Sequence, residues 1–264
     1  AIFFFLFGLE IKRELVEGEL SSPKKALLPI LGAVGGAILP AIIYFFINKG
    51  QETEHGWGIP MATDIAFALA VITILGKRVP ASLKIFLAAL AIVDDLLAIL
   101  VIAIFYSGDL HYTYLLIALG IFAFLILLNF LGVKKIWAYL IPGIFIWYFI
   151  HHSGIHATIA GVLVALTLPT NDTDKESPLE RLEHLLTRPV NFIIIPLFAL
   201  ANTNITIHSE MFAGLTSSLG VGIIVGLIVG KSVGILGTSY LATKIGLCSL
   251  PEGANWKHIF GVGL

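Results

Sequence analysis

Residues 86–106 read FLAALAIVDDLLAILVIAIFY, an apolar run in which Asp94 and Asp95 are the only charged side chains. A helix needs about 20 mostly apolar residues to cross the hydrocarbon core of a bilayer. A helix is expected because lipid offers no hydrogen-bond partners to backbone N–H and C=O groups, and the alternation of a β-barrel is missing. This stretch therefore predicts a membrane-spanning helix with two carboxylates near its middle.

The composition of the whole chain supports a membrane protein. Hydrophobic residues make up 58% of the 264 residues, charged residues make up 12%, and the mean hydropathy is +0.96. A soluble domain typically carries about a quarter charged residues. The net charge of −1 argues against nucleic-acid binding, which needs a basic surface. The single cysteine, Cys248, excludes an internal disulfide and a metal site built from several thiolates.

Ten apolar segments result when the chain is divided at charged or Pro/Gly-rich breaks. They lie near residues 1–9, 27–47, 57–75, 82–106, 113–131, 136–150, 154–168, 189–203, 214–242 and 256–264. The first and the last are partial, since the chain opens on IFFFLFGLE and stops within HIFGVGL. We therefore expect an all-α membrane protein whose polytopic helix bundle forms one transmembrane domain over residues 1–264. We also expect this chain to be truncated at both ends relative to a longer protein.

The distribution of basic residues predicts the orientation of these segments. The loops after even-numbered segments contain only Lys49, and Lys231 lies inside a segment. The loops after odd-numbered segments contain Lys12, Arg13, Lys24, Lys25, Lys77, Arg78, Lys84, Lys134, Lys135, Lys175, Arg181, Arg188, Lys244 and Lys257. Cytoplasmic loops of membrane proteins are enriched in Lys and Arg. The loop at residues 10–26 and the other loops that follow odd-numbered segments are therefore predicted to face the cytoplasm.

One of these cytoplasmic loops, at residues 169–188, is long and polar. Pro178 suits the first turn of a short helix within it, because a residue at that position needs no N–H group. The loop is interpreted either as a solvated connector or as a regulatory surface.

Four ionisable residues lie well inside the predicted spans: Asp64, Asp94, Asp95 and Lys231. Each costs about 2.5–3.5 kcal/mol at the centre of a membrane helix, and such residues usually mark ion pathways or proton relays. Ion pairs that only tie helices together are the alternative interpretation. That alternative leaves two of the three carboxylates without a partner.

The adjacent pair Asp94–Asp95 has the chemistry of an ion-exchange site. Neighbouring helical residues point about 100° apart, so one carboxylate can pair with a cation on another helix while the other faces a water-filled cavity. Two nearby carboxylates in a low dielectric resist being ionised together. One can therefore hold a proton near neutral pH and release it when a cation arrives. Oxygen ligands suit a hard cation such as Na⁺.

A second signal is GWGIPMATDIAFALAV at residues 56–71, where Pro60, Thr63 and Asp64 interrupt an apolar helix. Transporters use such discontinuous helices to present carbonyl groups and half-helix ends to ions. Asp64 is expected near the positive N-terminus of the following half-helix. A proline kink without a function is the alternative.

Lys231 lies in the glycine-rich segment GVGIIVGLIVGKSVGILG at residues 220–237. Small residues allow membrane helices to approach closely. An ammonium group buried between helices must be paired or lose its proton. Asp94 or Asp95 is the expected partner.

Several motifs along the chain resemble the NhaA-type Na⁺/H⁺ antiporters of bacteria. They are GLEIKREL, IPMATDIAFALAV, FLAALAIVDDLLAILVIAIFY, SGIHATIAGV, RLEH, IIIPLFALAN, GLIVGKSVGI and LPEG, in this order. The resemblance implies a secondary active transporter that exchanges Na⁺ or Li⁺ for H⁺ across the bacterial cytoplasmic (inner) membrane and controls intracellular pH and sodium. It also implies a broken helix, partial inverted repeats, no cofactor, no enzymatic activity, contacts with membrane lipids and a homodimer.

The resemblance also implies roles for individual side chains. Asp94 and Asp95 bind the proton and the Na⁺ ion. Thr63, Asp64 and Lys231 belong to the broken helix and its charge compensation, and the pH response involves Glu10, Glu14, His156, Glu183 and His184. In the leading hypothesis, Asp95 binds Na⁺ or H⁺ from a cytoplasm-facing cavity, while Asp94 pairs with Lys231 and exchanges that partner as protonation changes. The residues by themselves also allow a solvated pair at Glu183 and His184, a packed helix-entry residue at His156, and interface polarity at Glu10. The family's second broken helix would follow residue 264, so we expect no transport by this stretch alone.

Two other functions are compatible with buried carboxylates. An intramembrane aspartyl protease would need two aspartates from different helices, such as Asp64 and Asp94, but the GxGD-type motif is missing and Asp95 is left unexplained. A carboxylate-lined cation channel would carry current without coupled proton flux. The coupling of Na⁺ to proton movement separates the antiporter from the channel.

Overall fold

The computed structural model describes residues 1–63, 65–76, 79–108, 110–170, 176–203, 205, 208 and 211–264. Its α-helices are α1 (Ile2–Val16), α2 (Pro23–Asn48), α3 (Ile65–Ile74), α4 (Ala81–Phe105), α5 (Tyr112–Phe130), α6 (Trp137–His152), α7 (Thr158–Thr167), α8 (Pro178–Pro189), α9 (Ile195–Asn202), α10 (Met211–Gly214), α11 (Ser218–Val225), α12 (Ser232–Lys244) and α13 (Trp256–Gly263). The 3-10 segments are Glu19–Ser21 and Glu52–Met61, and the π turns are Val190–Ile194 and Gly226–Lys231. No strand occurs within the described residues, so the prediction of an all-α protein is confirmed.

Each of the ten predicted apolar segments overlaps a helix, but only some of these helices have the length of a full span. Among the described residues, five helical stretches are long and apolar enough to cross a membrane. They are Lys25–Asn48, Ala81–Phe105, Tyr112–Phe130, Pro178–Asn202 and Ser218–Lys244. The other segments form shorter helices; α7, for example, has 10 residues and α6 has 16. The long stretches confirm a polytopic helical membrane protein.

The chain separates into two compact units. The first contains Ala1–Gly18 and Ile102–Ile205, and the second contains Glu19–Val101 and Thr206–Leu264. The expectation of one transmembrane domain over residues 1–264 stays a prediction.

In the first unit, α1 lies against α7 and α8, and α5 and α6 complete the core. The largest fully buried side chains of this unit are Leu9, Ile11, Leu125, Tyr139, Ile146, Leu168, Leu179 and Val190. The backbones of α1 and α7 are close, because a Cβ at Gly8 would lie 2.7 Å from the Cβ of Ala165. The side of α1 that carries Gly8 therefore packs against α7.

Helix α8 begins at Pro178, as the sequence predicts. The Ser177 hydroxyl accepts a hydrogen bond from the Glu180 N–H at 3.2 Å, and the Ser177 N–H donates to the Glu180 carboxylate at 2.7 Å. This reciprocal pair is a capping box. The boundary placed between residues 188 and 189 is wrong, because the helix continues through the π turn Val190–Ile194 into α9. A π turn accommodates one extra residue without ending the helix.

In the second unit, the 3-10 segment Glu52–Met61 ends before two non-helical residues, Ala62 and Thr63, and α3 begins at Ile65. The interrupted helix expected at Pro60 and Thr63 is therefore present. Asp64 lies outside the described residues.

The second unit is built on a close contact between α2 and α12. A Cβ on Gly234 would lie 2.2 Å from the carbonyl oxygen of Gly35 and 2.7 Å from its carbonyl carbon. Both atoms belong to the backbone and cannot move aside without shifting a helix. Gly234 therefore allows α12 to approach α2 one turn after Lys231.

Substituting Gly234 with alanine is expected to lower the free energy of unfolding by about 1–3 kcal/mol, the usual cost of overpacking a tight interior. Gly237→Ala, on the same helix, is the matched control, because a Cβ there meets no atom within 4 Å. It is expected to be neutral or to stabilise by roughly 0.5–1 kcal/mol through helix propensity. Thermal unfolding of both variants of the intact protein measures the difference. Equal unfolding temperatures would contradict the close approach.

Candidate functional site

The centre of the second unit contains a buried ion pair between Asp94 of α4 and Lys231. The Lys231 Nζ lies 2.6 Å from the Asp94 Oδ2, and the exposed fractions of the two side chains are 7% and 1%. The side chains alone left either aspartate as the partner of Lys231, but the leading sequence-based hypothesis chose Asp94, and the structure contains this pair. A pair this deeply buried needs further hydrogen bonds, because removing two charges from water costs several kcal/mol per ion.

The interrupted helix supplies those hydrogen bonds. The Thr63 hydroxyl donates to the Asp94 Oδ2 at 2.8 Å, and the Lys231 ammonium also donates to the carbonyl of Met61. Met61 is the last residue of the 3-10 segment, so its carbonyl has no further helical N–H to accept from. The break in the helix therefore contributes one donor and one acceptor to the ion pair.

Lys231 reaches this position from the end of the π turn Gly226–Lys231. Single π turns inside α-helices occur frequently at functional sites. Within this turn, a Cβ on Gly230 would lie 2.9 Å from the Cα of Pro40, so the turn lies directly on α2. The backbone of α2 thus supports the residue that precedes Lys231.

The two carboxylate oxygens of Asp94 differ in their hydrogen bonding. The Oδ2 accepts two hydrogen bonds, whereas the buried Oδ1 has no partner within the described part of the chain. Buried polar atoms are almost always hydrogen-bonded, so an unsatisfied one calls for an explanation. A proton or a cation bound at this oxygen would satisfy it.

Asp95 follows Asp94 on α4 and is less buried. Their side chains point about 100° apart, so Asp95 does not share the direction that leads to Lys231. The site thus contains one carboxylate held by an ammonium and a hydroxyl, and a half-buried carboxylate beside it. The expectation that Asp95 faces a water-filled cavity stays a prediction.

Asp94, Lys231 and Thr63 were all predicted from the sequence, and the structure brings them together. The Met61 carbonyl was not predicted, because its only signal was its position immediately before the helix break. Asp64, expected at the start of α3, lies outside the described residues, so its place in the site stays a prediction.

Comparison with known proteins identifies the family. All residues from 1 to 264 match the family model described as Na⁺/H⁺ antiporter 1. The chain is a member of this Na⁺/H⁺ antiporter family. The resemblance recognised in its motifs is thereby confirmed.

Named relatives of this chain come from several bacteria. The Na⁺/H⁺ antiporter NhaA 2 of Flavobacterium johnsoniae is 64% identical over 265 residues, which are 100% of this chain and 65% of the relative. The NhaA of Flavobacterium psychrophilum is 53% identical over 262 residues, which are 99% of this chain and 68% of the relative. The NhaA of Pelagibacter ubique is 52% identical over 266 residues, which are 100% of this chain and 68% of the relative. All three names denote transporters and not enzymes. This chain therefore covers about two-thirds of each relative's length.

The chain has a second charged cluster, in its first unit, where α1 meets α8. The Arg13 guanidinium lies 3.0 Å from the Glu183 Oε1 and 4.0 Å from the Glu14 carboxylate. Burial, followed by the charge of the nearby Glu183 carboxylate, raises the pKa of Glu10 to about 7, although the Arg13 guanidinium opposes the rise. The pH role of Glu10 stays a prediction.

The two histidines proposed to respond to pH have different surroundings. The His184 Nδ1 lies 2.7 Å from the Glu176 carboxylate, and both side chains are well exposed. His184 is therefore paired with Glu176 and not with its sequence neighbour Glu183. His156 precedes α7 by two residues and is exposed, so its interpretation as a packed residue at the helix entry is wrong.

Proposed function

We propose that the protein exchanges Na⁺ or Li⁺ for H⁺ across the bacterial cytoplasmic membrane and so controls intracellular pH and sodium. The observation that carries this proposal is the buried Asp94 carboxylate, bound by Lys231 and Thr63, with the less buried Asp95 beside it. Charged groups are costly inside a membrane and are usually retained there for ion or proton movement. The family match supports the same activity.

In the proposed exchange, Asp95 is the group that binds Na⁺ and H⁺ alternately. A protonated Asp95 releases its proton to water and binds Na⁺ as a carboxylate, so the net charge of the site is the same before and after. Asp94 stays paired with Lys231 while both are charged. The Asp94 Oδ1 has no hydrogen-bond partner among the described residues. Protonation there would remove the negative charge that holds Lys231, which would then keep its hydrogen bond to the Met61 carbonyl. Na⁺ and H⁺ are the substrates, and no resident cofactor takes part.

The decisive test of this exchange is the coupling between the two ions. Addition of Na⁺ to inverted vesicles that contain the intact protein and an acidified interior is expected to alkalinise the interior in a fixed ratio to Na⁺ uptake. A pH-sensitive dye and ²²Na⁺ measure the two fluxes. Because Na⁺ binds only after the site releases its proton, the rate is expected to rise with pH. Sodium uptake without proton movement would overturn the proposal and favour a channel.

Neither alternative function has support from the family or from the names of the relatives. A protease would additionally need Asp64 to share a water with Asp94, whereas Asp94 is already bound by an ammonium and a hydroxyl.

We also propose that the pH response involves Glu10, Glu14, Glu183, His184 and His156, all of which belong to the first unit. The raised pKa of Glu10 and the Arg13–Glu183 pair support a response near neutral pH. A homodimer in contact with membrane lipids is expected from the family resemblance alone.

A further inference from the structure

Asn48, the last residue of α2, is fully buried although its side chain is polar. Its amide nitrogen donates to the carbonyl of Tyr44 at 3.1 Å and to that of Ser218 at 3.2 Å. Its amide oxygen accepts from the Thr53 hydroxyl at 2.8 Å. Both N–H donors and the oxygen are therefore used, which is the condition for burying an amide without a large cost.

The amide joins the beginnings of two helical segments that are far apart in the chain. Thr53 lies in the first turn of the 3-10 segment Glu52–Met61, and Ser218 is the first residue of α11. A Cβ on Gly222, one turn into α11, would lie 2.5 Å from the Asn48 Nδ2. A side chain at that position would displace the amide, so the amide is enclosed as well as hydrogen-bonded.

The same two segments meet again at the ion pair. The 3-10 segment ends at Met61, whose carbonyl accepts from Lys231, and α11 continues through the π turn that ends at Lys231. Shortly before this end, a Cβ on Gly226 would lie 3.0 Å from the Cβ of Pro60. The two segments therefore lie alongside each other between Asn48 and Lys231.

Two segments joined at only one end could slip along each other. A slip of one residue moves the backbone by about 1.5 Å in an α-helix and about 2.0 Å in a 3-10 helix, and either shift breaks a hydrogen bond. We propose that Asn48 is a positioning residue that sets the axial register of the 3-10 segment against α11, and so holds the Met61 carbonyl at Lys231. Its hydrogen bonds go to the beginnings of the two segments, so it acts on the ion pair through them.

This role deepens the proposed ion exchange and rests on it. In that exchange, Lys231 keeps the Met61 carbonyl as its partner when Asp94 is protonated. A 3-10 segment out of register would leave the ammonium without this acceptor in that step. Asp95, the group proposed to bind Na⁺, lies on α4 and belongs to neither segment. We therefore expect a loss of register to slow the cycle and to leave the affinity for Na⁺ unchanged.

Two substitutions break the two links of Asn48 separately. Thr53→Val removes the hydroxyl that binds the amide oxygen, and Asn48→Asp keeps that oxygen but loses both N–H donors. Each is expected to lower the maximal exchange rate of the intact protein about tenfold, the effect of losing one hydrogen bond, with a KM for Na⁺ within about twofold of the wild type. Because either substitution breaks the same connection, the double variant is expected to be no slower than the slower single variant.

Two controls separate the register from stability. Thr53→Ser keeps the hydroxyl and is expected to retain the wild-type rate. Thr243→Val removes a hydroxyl of similar burial in the same unit, which binds the Ser239 carbonyl of its own helix, and it is also expected to keep the wild-type rate. Dye-reported proton movement at a series of Na⁺ concentrations in inverted vesicles gives the maximal rate and the KM, and thermal unfolding gives the stability of each variant.

Hydrogen exchange of the wild-type protein in lipid nanodiscs tests the register without a variant. The amides of residues 54–61 and 219–226 are expected to open with equal free energies, as parts of one cooperative unit.

Three outcomes would overturn the proposal. They are unequal opening of the two segments, a raised KM at an unchanged maximal rate, and a lower stability of Thr53→Val at an unchanged maximal rate, as a merely structural role would give. If the wild-type protein exchanges no Na⁺ for H⁺ while the two segments open together, the proposed function is wrong and the register is still supported.

Discussion

Replacing Asp95 with asparagine is expected to reduce Na⁺-driven proton movement to the level of vesicles without the protein. Asparagine keeps the shape of the side chain but can neither carry a negative charge nor exchange a proton. Asp94 is not expected to take over the role, because its carboxylate is held by the Lys231 ammonium and the Thr63 hydroxyl. The measurement is dye-reported proton movement in inverted vesicles after a Na⁺ pulse.

The loss in Asp95→Asn must be separated from damage to the fold. Asp95 is half-buried and the substitution is nearly isosteric, so the free energy of unfolding is expected to change by no more than about 1 kcal/mol. Glu252→Gln removes an exposed carboxylate of the same unit and is expected to transport like the wild type. Retained exchange in Asp95→Asn would reject Asp95 as the site of alternate ion and proton binding.

Much of the fold was predictable, because the bilayer restricts what an apolar chain can do. A long apolar run in lipid must be helical to satisfy its backbone, so the positions of the helices followed from hydropathy alone. The interruption at Pro60 and Thr63 was predictable for the same reason, since a proline and polar residues oppose a continuous span. The length of individual helices was less predictable. Hydropathy does not reveal that α8 and α9 are joined by a π turn.

The candidate site was predictable in its members but not in all its contacts. The cost of a buried charge implied that Lys231 pairs with an aspartate. It did not identify Asp94, because the choice depends on how α4 is rotated toward the π turn. Main-chain acceptors are harder still, because every residue has a carbonyl, and for Met61 the only signal was its position immediately before the helix break. These acceptors become visible only where a helix end meets a side chain.

Lys231→Met is expected to lower the free energy of unfolding by about 3–5 kcal/mol, the usual cost of removing one partner from a buried ion pair. Methionine fills a similar volume, so the loss comes from electrostatics and hydrogen bonding more than from a cavity. The Asp94 carboxylate would keep only the Thr63 hydroxyl, and the Met61 carbonyl would lose its donor. Thermal unfolding of the intact protein in detergent measures the change.

Two further variants make this result specific. Lys244→Met removes an exposed lysine from α12 whose amine lies 5.9 Å from the Tyr240 ring centroid, and it is expected to cost no more than about 1 kcal/mol. Asp94→Asn combined with Lys231→Met leaves no charge buried at the pair, so it is expected to be more stable than Lys231→Met alone. Together with Asp94→Asn alone, these variants complete a double-mutant cycle, whose coupling energy measures the interaction of the two contacting residues. If Lys231→Met costs no more than Lys244→Met, then Asp94 carries no charge that needs Lys231, and the ion pair cannot be the charged core of the exchange site.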